Sequence, residues 1–333
     1  MDAQEHVPDA SVIIVSFNTR DVLRDCLQSL YAAIGQRAVE VIVVENASRD
    51  GSADMVADEF PAVRLVRSEV NLGFAAANNV GFDLALGRYV ILLNPDAQVE
   101  RSAFAGAIER MDAAPEVGMA GGRLVDRDGR DQPSARCFPS LLNELLVISG
   151  LAARFPRSRL FGRFDRTWAD PERPAAVDWV PGAFAIVRRE ALRAVGHFDE
   201  RFFLYYEEVD LCRRIKAAGW QIWYWPEIVI RHLGGESSKT VENAEISSSG
   251  SQLVLWRMRS ALLYYRKHHG RLGAWLLARL ESGWHGLRRL KAIVAGGSPA
   301  VTAKAVESGR LIALMQRAWL ETRGGAVSPP RPW

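Results

Sequence analysis

Cysteine is scarce in this 333-residue chain: Cys26, Cys137 and Cys212 are odd in number, scattered, and show no CxxC spacing. That argues against a disulfide framework and a cysteine-ligated zinc site, and it points to the reduced thiols of a cytosolic protein. Long apolar runs are missing too, and none approaches the ~20 residues needed to span a bilayer. The opening stretch MDAQEHVPDA is acidic and polar, so no signal peptide is expected. Charge of one sign is not in excess: 42 Lys and Arg stand against 39 Asp and Glu, a net of +3. So small a surplus does not indicate a nucleic-acid partner. There is no GxGxxG and no GxxxxGKS or GxxxxGKT, and NLGFAA carries one glycine at its turn. Neither the dinucleotide nor the P-loop solution is indicated.

What is present is 48% hydrophobic and 24% charged, enough for one large domain and an appendage. Four short apolar, β-branched runs stand in the first third: Ser11–Phe17, Val39–Glu45, Ala62–Val66 and Arg88–Asn94. Runs of this kind suit strands buried on both faces. Helical patterns separate them. RDVLRDCLQSLYAA puts Val22, Leu23, Cys26, Leu27 and Leu30 on one stripe, DGSADMVADEF opens on a capping signal, and GFAAANNVGFDLALG ends on Gly87 as a C-cap. Repeated strand–helix–strand units predict an α/β fold with a doubly wound, mostly parallel sheet.

Beyond Gly118 the pattern is irregular. Asp126–Asp131 reads as a turn, LLNELLVISGLAARF as a short amphipathic helix, and Val177–Leu192 as a strand running into a helix. GWQIWYWPEIVIRHLGG should be another strand. Residues 1–235 are therefore expected to form the main domain. Residues 236–252, polar and serine-rich, read as a mobile linker, 253–323 as a basic helical region, and 324–333 as a disordered tail. Between Arg257 and Lys291 there are nine Lys or Arg and one acid, Glu281, while Leu272, Leu276, Leu280, Trp284 and Leu287 line one helical face. Such a helix suits an anionic bilayer surface; the alternative is packing on its own domain with the arginines in water.

Open α/β sheets bind ligands at the carboxyl ends of their strands. Here those ends are polar: Ser16-Phe17-Asn18, then Glu45-Asn46-Ala47-Ser48, then Asn94-Pro95-Asp96. A carboxylate held at a strand end, as at Asp96, is a hard ligand suited to Mg2+ or Mn2+ bridging a diphosphate. His232 ends a later strand, ahead of Gly234-Gly235. Either residue alone is more often structural; together, with no competing Cys/His cluster, they suggest a metal site. The stretch FFLYYEEVDLCRR sets Glu207, Glu208 and Asp210 against Phe202, Phe203, Tyr205 and Tyr206. Apolar neighbours raise a carboxylate's pKa, which suits a general base. Acids at a helix start are also favoured by the helix dipole, and both readings can hold at once.

Seven motifs in order resemble the family 2 glycosyltransferases of GT-A fold, and among them the bacterial rhamnosyltransferase-like branch. They are VIIVSFN, VVENASRDGS, NLGFAAANNVG, LLNPDAQV, WVPGAFAIVRR, YYEEVDLCRRIKAAGW and IRHLGG, spread from about Ser11 to Gly235. The resemblance implies that Ser16, Asn18, Glu45, Asn46, Gly73, Asn78 and Asn94 surround the nucleotide. It implies that Asp96 and His232 hold the metal on the donor diphosphate. Glu208 falls at the position of the catalytic base with Glu207 beside it. Trp179, Gly182, Tyr206 and Asp210 fall on the acceptor side, Asp210 also bracing its helix. Three positions depart from the family pattern: Glu45 and Glu208 replace aspartates, and Asn94 replaces the first Asp of the Asp-x-Asp motif, as rhamnosyltransferase-like members often have it.

The function so implied is an inverting, metal-dependent transfer of a sugar from a nucleotide-diphosphate donor to a glycan or lipid-linked acceptor. The donor would be dTDP-rhamnose, with a UDP-sugar as the runner-up. A non-catalytic nucleotide-sugar-binding subunit is the competing reading. The enzyme would be cytoplasmic and peripheral on the inner face of the bacterial membrane.

Overall fold

The computed structural model describes residues 7–234, 249–294 and 299–329. The four apolar runs become β1 (Ala10–Ser16), β2 (Val39–Glu45), β3 (Arg64–Arg67) and β4 (Tyr89–Leu93). They pair in parallel in the order β3-β2-β1-β4. Alternate residues of each inner strand enter two cores. Ile13, Ile42 and Leu92 face one side of the sheet, while Ile14, Val43 and Ile91 face the other. This two-sided burial explains why the runs are nearly continuous in apolar residues.

The helices between them are α1 (Arg20–Ile34), α2 (Ser52–Glu59) and α3 (Phe74–Leu84). Helix α3 stops short of Gly87, so the expected C-cap there is not one. Gly87 instead lies where the chain crosses β1: a Cβ on it would sit 2.5 Å from Ser11 N, and its own N–H donates to Ser11 Oγ at 2.8 Å.

The second half makes the sheet mixed. After β5 (Ala97–Val99) and α4 (Arg101–Ala113) come β6 (Val117–Val125) and the two-residue β7 (Asp131–Gln132). The 126–131 turn connects β6 and β7, with Asp126 Oδ1 accepting from Asp128 N and Arg130 N at 2.8 Å each. One expected amphipathic helix is two, α5 (Leu141–Ile148) and α6 (Leu151–Arg154), separated at Gly150. Then follow β8 (Ala175–Ala176), β9 (Phe184–Arg188), α7 (Arg189–Val195), α8 (Glu207–Ala217) and β10 (Gln221–His232). Strand β9 enters antiparallel between β4 and β6; β10 pairs parallel with β6 and antiparallel with β5.

Two long helices complete the chain: α9 (Ser249–Val294), kinked at Gly270, and α10 (Pro299–Glu321). Leu255, Met258, Leu262, Tyr264 and Tyr265 of α9 belong to the same apolar core as Ile13, Leu92 and Val209. The helical region is thus built into the α/β part of the chain rather than hung from it. The expected linker falls largely outside the described residues. Residues 324–329, read from sequence as a disordered tail, turn back onto the fold: Gly324 N donates to Trp319 O, and Ser328 Oγ donates to Arg201 O at 2.9 Å.

Candidate active site

The carboxyl ends of β1 and β2 are joined by side-chain splints. Ser16 Oγ lies 3.0 Å from Thr19 Oγ1, and Asn18, at φ 51°, donates its N–H to Ser48 Oγ and accepts from Arg49 N at 2.8 Å each. The Glu45 carboxylate accepts from Ser48 N at 3.0 and 3.2 Å. Asn46 donates to Asn71 Oδ1 at 2.9 Å and accepts from Leu72 N at 2.7 Å, which ties β2 to the turn ahead of α3. Asn78 turns its amide onto Phe74 O of its own helix. Asn71 and Asn79 do similar work and were not singled out in the sequence: Asn79 brackets the Phe198 backbone, accepting from its N and donating to its O at 3.0 Å.

Gly73 has φ 82°, and a Cβ there would meet Phe203 O at 2.5 Å. The next residue's N–H, Phe74 N, donates to that same Phe203 O at 2.8 Å. The turn beside the β-strand ends is thereby fastened to the segment that carries the acid pair, and only glycine leaves room.

Asp96 is 4% exposed, just after β4. His232 ends β10 opposite Ala97 of β5, and its Nε2 stands 3.4 Å from Asp96 Oδ1 and 3.4 Å from Asn94 Nδ2. Gln132 decides the tautomer. Its amide nitrogen donates to His232 O at 2.9 Å, so its oxygen faces His232 Nδ1 at 2.8 Å. Nδ1 therefore donates to Gln132, and Nε2 faces the Asp96 carboxylate. Two electron-rich groups at that distance suit a cation between them. A histidine whose other nitrogen is held by an amide oxygen has the usual form of a metal ligand. Among the described residues no three His, Cys, Asp or Glu side chains converge as a metal cage. A carboxylate and an imidazole nevertheless fit Mg2+ or Mn2+, which take few protein ligands when substrate phosphates and water supply the rest.

The acid pair opens α8. Tyr205 and Tyr206 precede it at φ 70° and 69°, two consecutive left-handed residues that cost about 1–3 kcal/mol each and must be held by their surroundings. Glu207 is 4% exposed, and the Oε2 atoms of Glu207 and Glu208 are both buried without a hydrogen-bond partner. Burial pushes the Glu207 carboxyl well above the usual range, and the charge of Glu208 pushes it further. Burial raises Glu208 as well, but the backbone N–H groups of Glu208 and Val209, Arg136, and a bond from Glu207 all favour its ionised form. Both carboxyls are thus raised, Glu207 the further, and the groups that favour a charge gather around Glu208.

Helix α9 grips this segment along one face. Trp256 packs 4.5 Å from the Phe203 ring, Ser260 Oγ donates to Leu204 O at 2.7 Å, and Tyr264 packs 5.4 Å from Tyr206. Asp210, 0% exposed, receives Arg214 Nε at 2.8 Å, Lys267 Nζ at 2.8 Å and His268 Nε2 at 2.7 Å. With both oxygens so engaged, Asp210 is placed to brace α8 against α9, and its fully buried carboxylate has no open side for an acceptor.

The acceptor-side residues adjoin both clusters. Trp179 Nε1 donates to Cys137 O at 2.9 Å, and the Arg136 guanidinium stacks 4.9 Å from the Trp179 ring. Gly182 faces Phe74: a Cβ on it would lie 3.3 Å from that ring. Asn94 N donates to Ala183 O at 3.0 Å. A continuous path thus runs from Asn94 through Ala183, Gly182 and Phe74 to Phe203, joining the end of β4 to the acid-pair segment. Tyr206 makes a long contact, 3.4 Å, to Glu144 Oε1 of α5. Arg257 and Glu281 of α9 complete a buried polar seam there. Burial and the nearby Glu281 push the Glu144 carboxyl up to about 7. Sequence pattern had no means of finding this seam, because its members come from three distant segments.

A family model described as glycosyl transferase family 2 matches residues 11–196. The chain belongs to that family. Similar to it is an N-acetylglucosaminyl-diphospho-decaprenol L-rhamnosyltransferase of Mycobacterium tuberculosis, 33% identical over 234 residues, 66% of this chain and 75% of that protein. The low-salt glycan biosynthesis hexosyltransferase Agl10 of Haloferax volcanii is 22% identical over 86% of each chain. Among solved structures, the mannosyltransferase PcManGT of Pyrobaculum calidifontis, in complex with GDP-Man and Mn2+, superposes with a TM-score of 0.53 at 20% identity, covering 97% of this chain and 85% of that one. TarS of S. aureus gives 0.50 at 15% identity, covering 93% and 91%. These structures share the GT-A fold, and family 2 membership makes this chain a glycosyltransferase.

Proposed function

We propose that this glycosyltransferase moves a sugar, with inversion, from a nucleoside-diphosphate donor to a hydroxyl of a glycan or lipid-linked acceptor. The observation that carries the reading is the buried, unpartnered acid pair at the start of α8, joined by a continuous path of contacts to the strand end that holds Asp96. Glu208 takes the acceptor hydroxyl's proton. The freed oxygen bonds to the anomeric carbon from the face opposite the donor phosphate. The carbon–oxygen bond to phosphate breaks, and the nucleoside diphosphate leaves with the electron pair. General-base assistance of this kind contributes roughly 10²–10⁴-fold. Glu207 keeps its proton and orients Glu208.

Asp96 and His232 would hold Mg2+ or Mn2+ at the diphosphate, and such an ion supplies Lewis-acid neutralisation of the leaving group's charge. Ser16, Asn18, Glu45 and Asn46 line the strand ends where a nucleotide sits in open α/β sheets. The 33% identical mycobacterial rhamnosyltransferase supports rhamnose as the sugar moved, and dTDP-rhamnose is the donor proposed. The test is release of nucleoside diphosphate from dTDP- and UDP-sugars with Mg2+ or Mn2+, stopped by EDTA. Asp96→Ala should abolish it and weaken metal-dependent donor binding at least tenfold. Unchanged donor affinity in that variant would remove Asp96 from the site.

The distal half of α9 supports a peripheral membrane role. Leu272 and Leu287 are 66% and 63% exposed, Leu276, Leu290 and Ile293 are exposed beside them, and Arg271, Arg279, Arg289 and Lys291 flank the stripe. Leu280 and Trp284, expected on the same face, are half-buried. No helix among the described residues is long and apolar enough to cross a membrane. Surface docking that brings the enzyme to a lipid-linked acceptor is the role the stripe suits.

A further inference from the structure

Resting on the glycosyl-transfer reading, we infer that the cavity between β7 and the 165–173 loop is a saccharide subsite, gripping the acceptor glycan beyond the hydroxyl that reacts. The cavity measures about 260 Å3 and opens to solvent; Asp131, Gln132, Asp165, Arg166, Asp170 and Arg173 contribute to its wall, with Tyr224 of β10 also lining it. Its volume is just under the ~300–1,000 Å3 of drug-sized sites and suits about one sugar ring.

Two connections place it beside the chemistry. Gln132 is the residue that orients His232. Asp165 Oδ1 stands 3.2 Å from Arg136 Nε, and Arg136 is the cation that favours ionised Glu208. The cavity wall is therefore one residue removed from the metal-side histidine, and its Asp165 holds a cation whose field reaches the acid pair. The loop is also stitched to that region through its backbone, Cys137 N donating to Phe164 O at 2.9 Å.

Its chemistry selects a neutral, hydroxyl-rich ligand. The wall carboxylates are already paired with arginines: Asp131 with Arg123 at 2.6 Å, Asp165 with Arg136, and Asp170 with Arg173 at 3.4 Å. The wall thus offers both acceptors and donors, as adjacent sugar hydroxyls require, and its three carboxylates against two arginines oppose a phosphate. Arg166 is held at φ 51° and its Nε is buried without a hydrogen-bond partner. A non-glycine residue kept in that conformation, with an unused donor, is a feature of ligand sites.

Ligand-observed NMR on the full chain tests this with rhamnose, glucose, N-acetylglucosamine and inorganic phosphate as probes. At least one of the three sugars should bind in the millimolar range and phosphate should not. Arg166→Ala should weaken that sugar about tenfold, the order of one lost charge-assisted hydrogen bond. Arg173→Ala, whose side chain is 83% exposed and whose loss leaves the fold intact, should weaken it as well. Thermal stabilisation by dTDP or UDP with Mn2+ should stay at the wild-type value in both variants. Sugar binding unchanged in both variants, no sugar binding in wild type, or phosphate binding in place of sugar would each overturn the subsite. Absence of any nucleotide stabilisation would instead overturn the transferase reading, which the same samples report separately.

Discussion

Asp210→Asn isolates the brace between α8 and α9. The native carboxylate is wholly buried and faces Arg214, Lys267 and His268 at 2.7–2.8 Å. Asparagine keeps the shape and removes the charge, which leaves Lys267 with Asp199 alone and Arg214 with backbone carbonyls alone. Removing one partner of a buried ion pair costs about 3–5 kcal/mol. The three facing side chains are 14–24% exposed and two of them keep other partners, so the lower end applies, about 3 kcal/mol. For a chain this large the melting temperature should fall by roughly 5–10 °C. The pH dependence has a definite sign. Although burial opposes it, His268, Lys267 and Arg214 hold the Asp210 carboxyl below its ordinary 3.8. Its contribution is thus present above that pH and lost as pH falls through the folded value. The gap between wild type and variant, followed by circular dichroism, should be wide at pH 7 and close in strong acid. Melting curves that coincide at pH 7, or a raised acceptor KM with unchanged melting, would refute the brace and return Asp210 to the acceptor site.

Two further outcomes follow from the same geometry. Glu144→Gln should stabilise the protein selectively at high pH. The folded carboxyl titrates near 7 against an ordinary 4.5, so its charge penalises the fold increasingly from pH 4.5 to 7 and constantly above. The variant should gain about 2–3 kcal/mol at pH 8 and little at pH 4, measured by urea denaturation; a larger gain at pH 4 would contradict the burial argument. Replacing exposed Leu272 and Leu287 by serine should release the protein from vesicles containing anionic lipid, scored by sedimentation; wild-type protein that never sediments would end the membrane role.

Local pattern reached much of this molecule because its strands obey a simple rule. Strands β1, β2 and β4 are buried on both faces, so their sequences are continuous apolar runs that stand out against amphipathic helices. Strand β9 was legible as a strand but not as a reversed one, since side-chain alternation says nothing of direction. Gly87 shows a different limit. Its role is a close crossing over β1, a contact between residues 76 apart that no local cap rule contains. In the candidate site, Asp96, His232, Glu207 and Glu208 were singled out from strand ends and an acid run beside aromatics, and the fold makes the first two neighbours and buries Glu207 with the Oε2 atom of Glu208. Gln132, Arg136, Arg257 and Glu281 were not, because each acts on a residue from another part of the chain. The C-terminal helices lay between the two expectations: residues 255–265 are core, and within α9 the exposed leucines lie in its distal half.

Turnover of Glu208→Gln, measured beside Glu207→Gln with donor affinity followed in the same samples, bears most directly on the chemistry. The proposed roles require the Glu208 variant to bind donor as wild type does and to lose roughly 10²–10⁴-fold in transfer rate, with the Glu207 variant far less affected. Near-normal transfer by Glu208→Gln, or a collapse confined to Glu207→Gln, would place the base elsewhere.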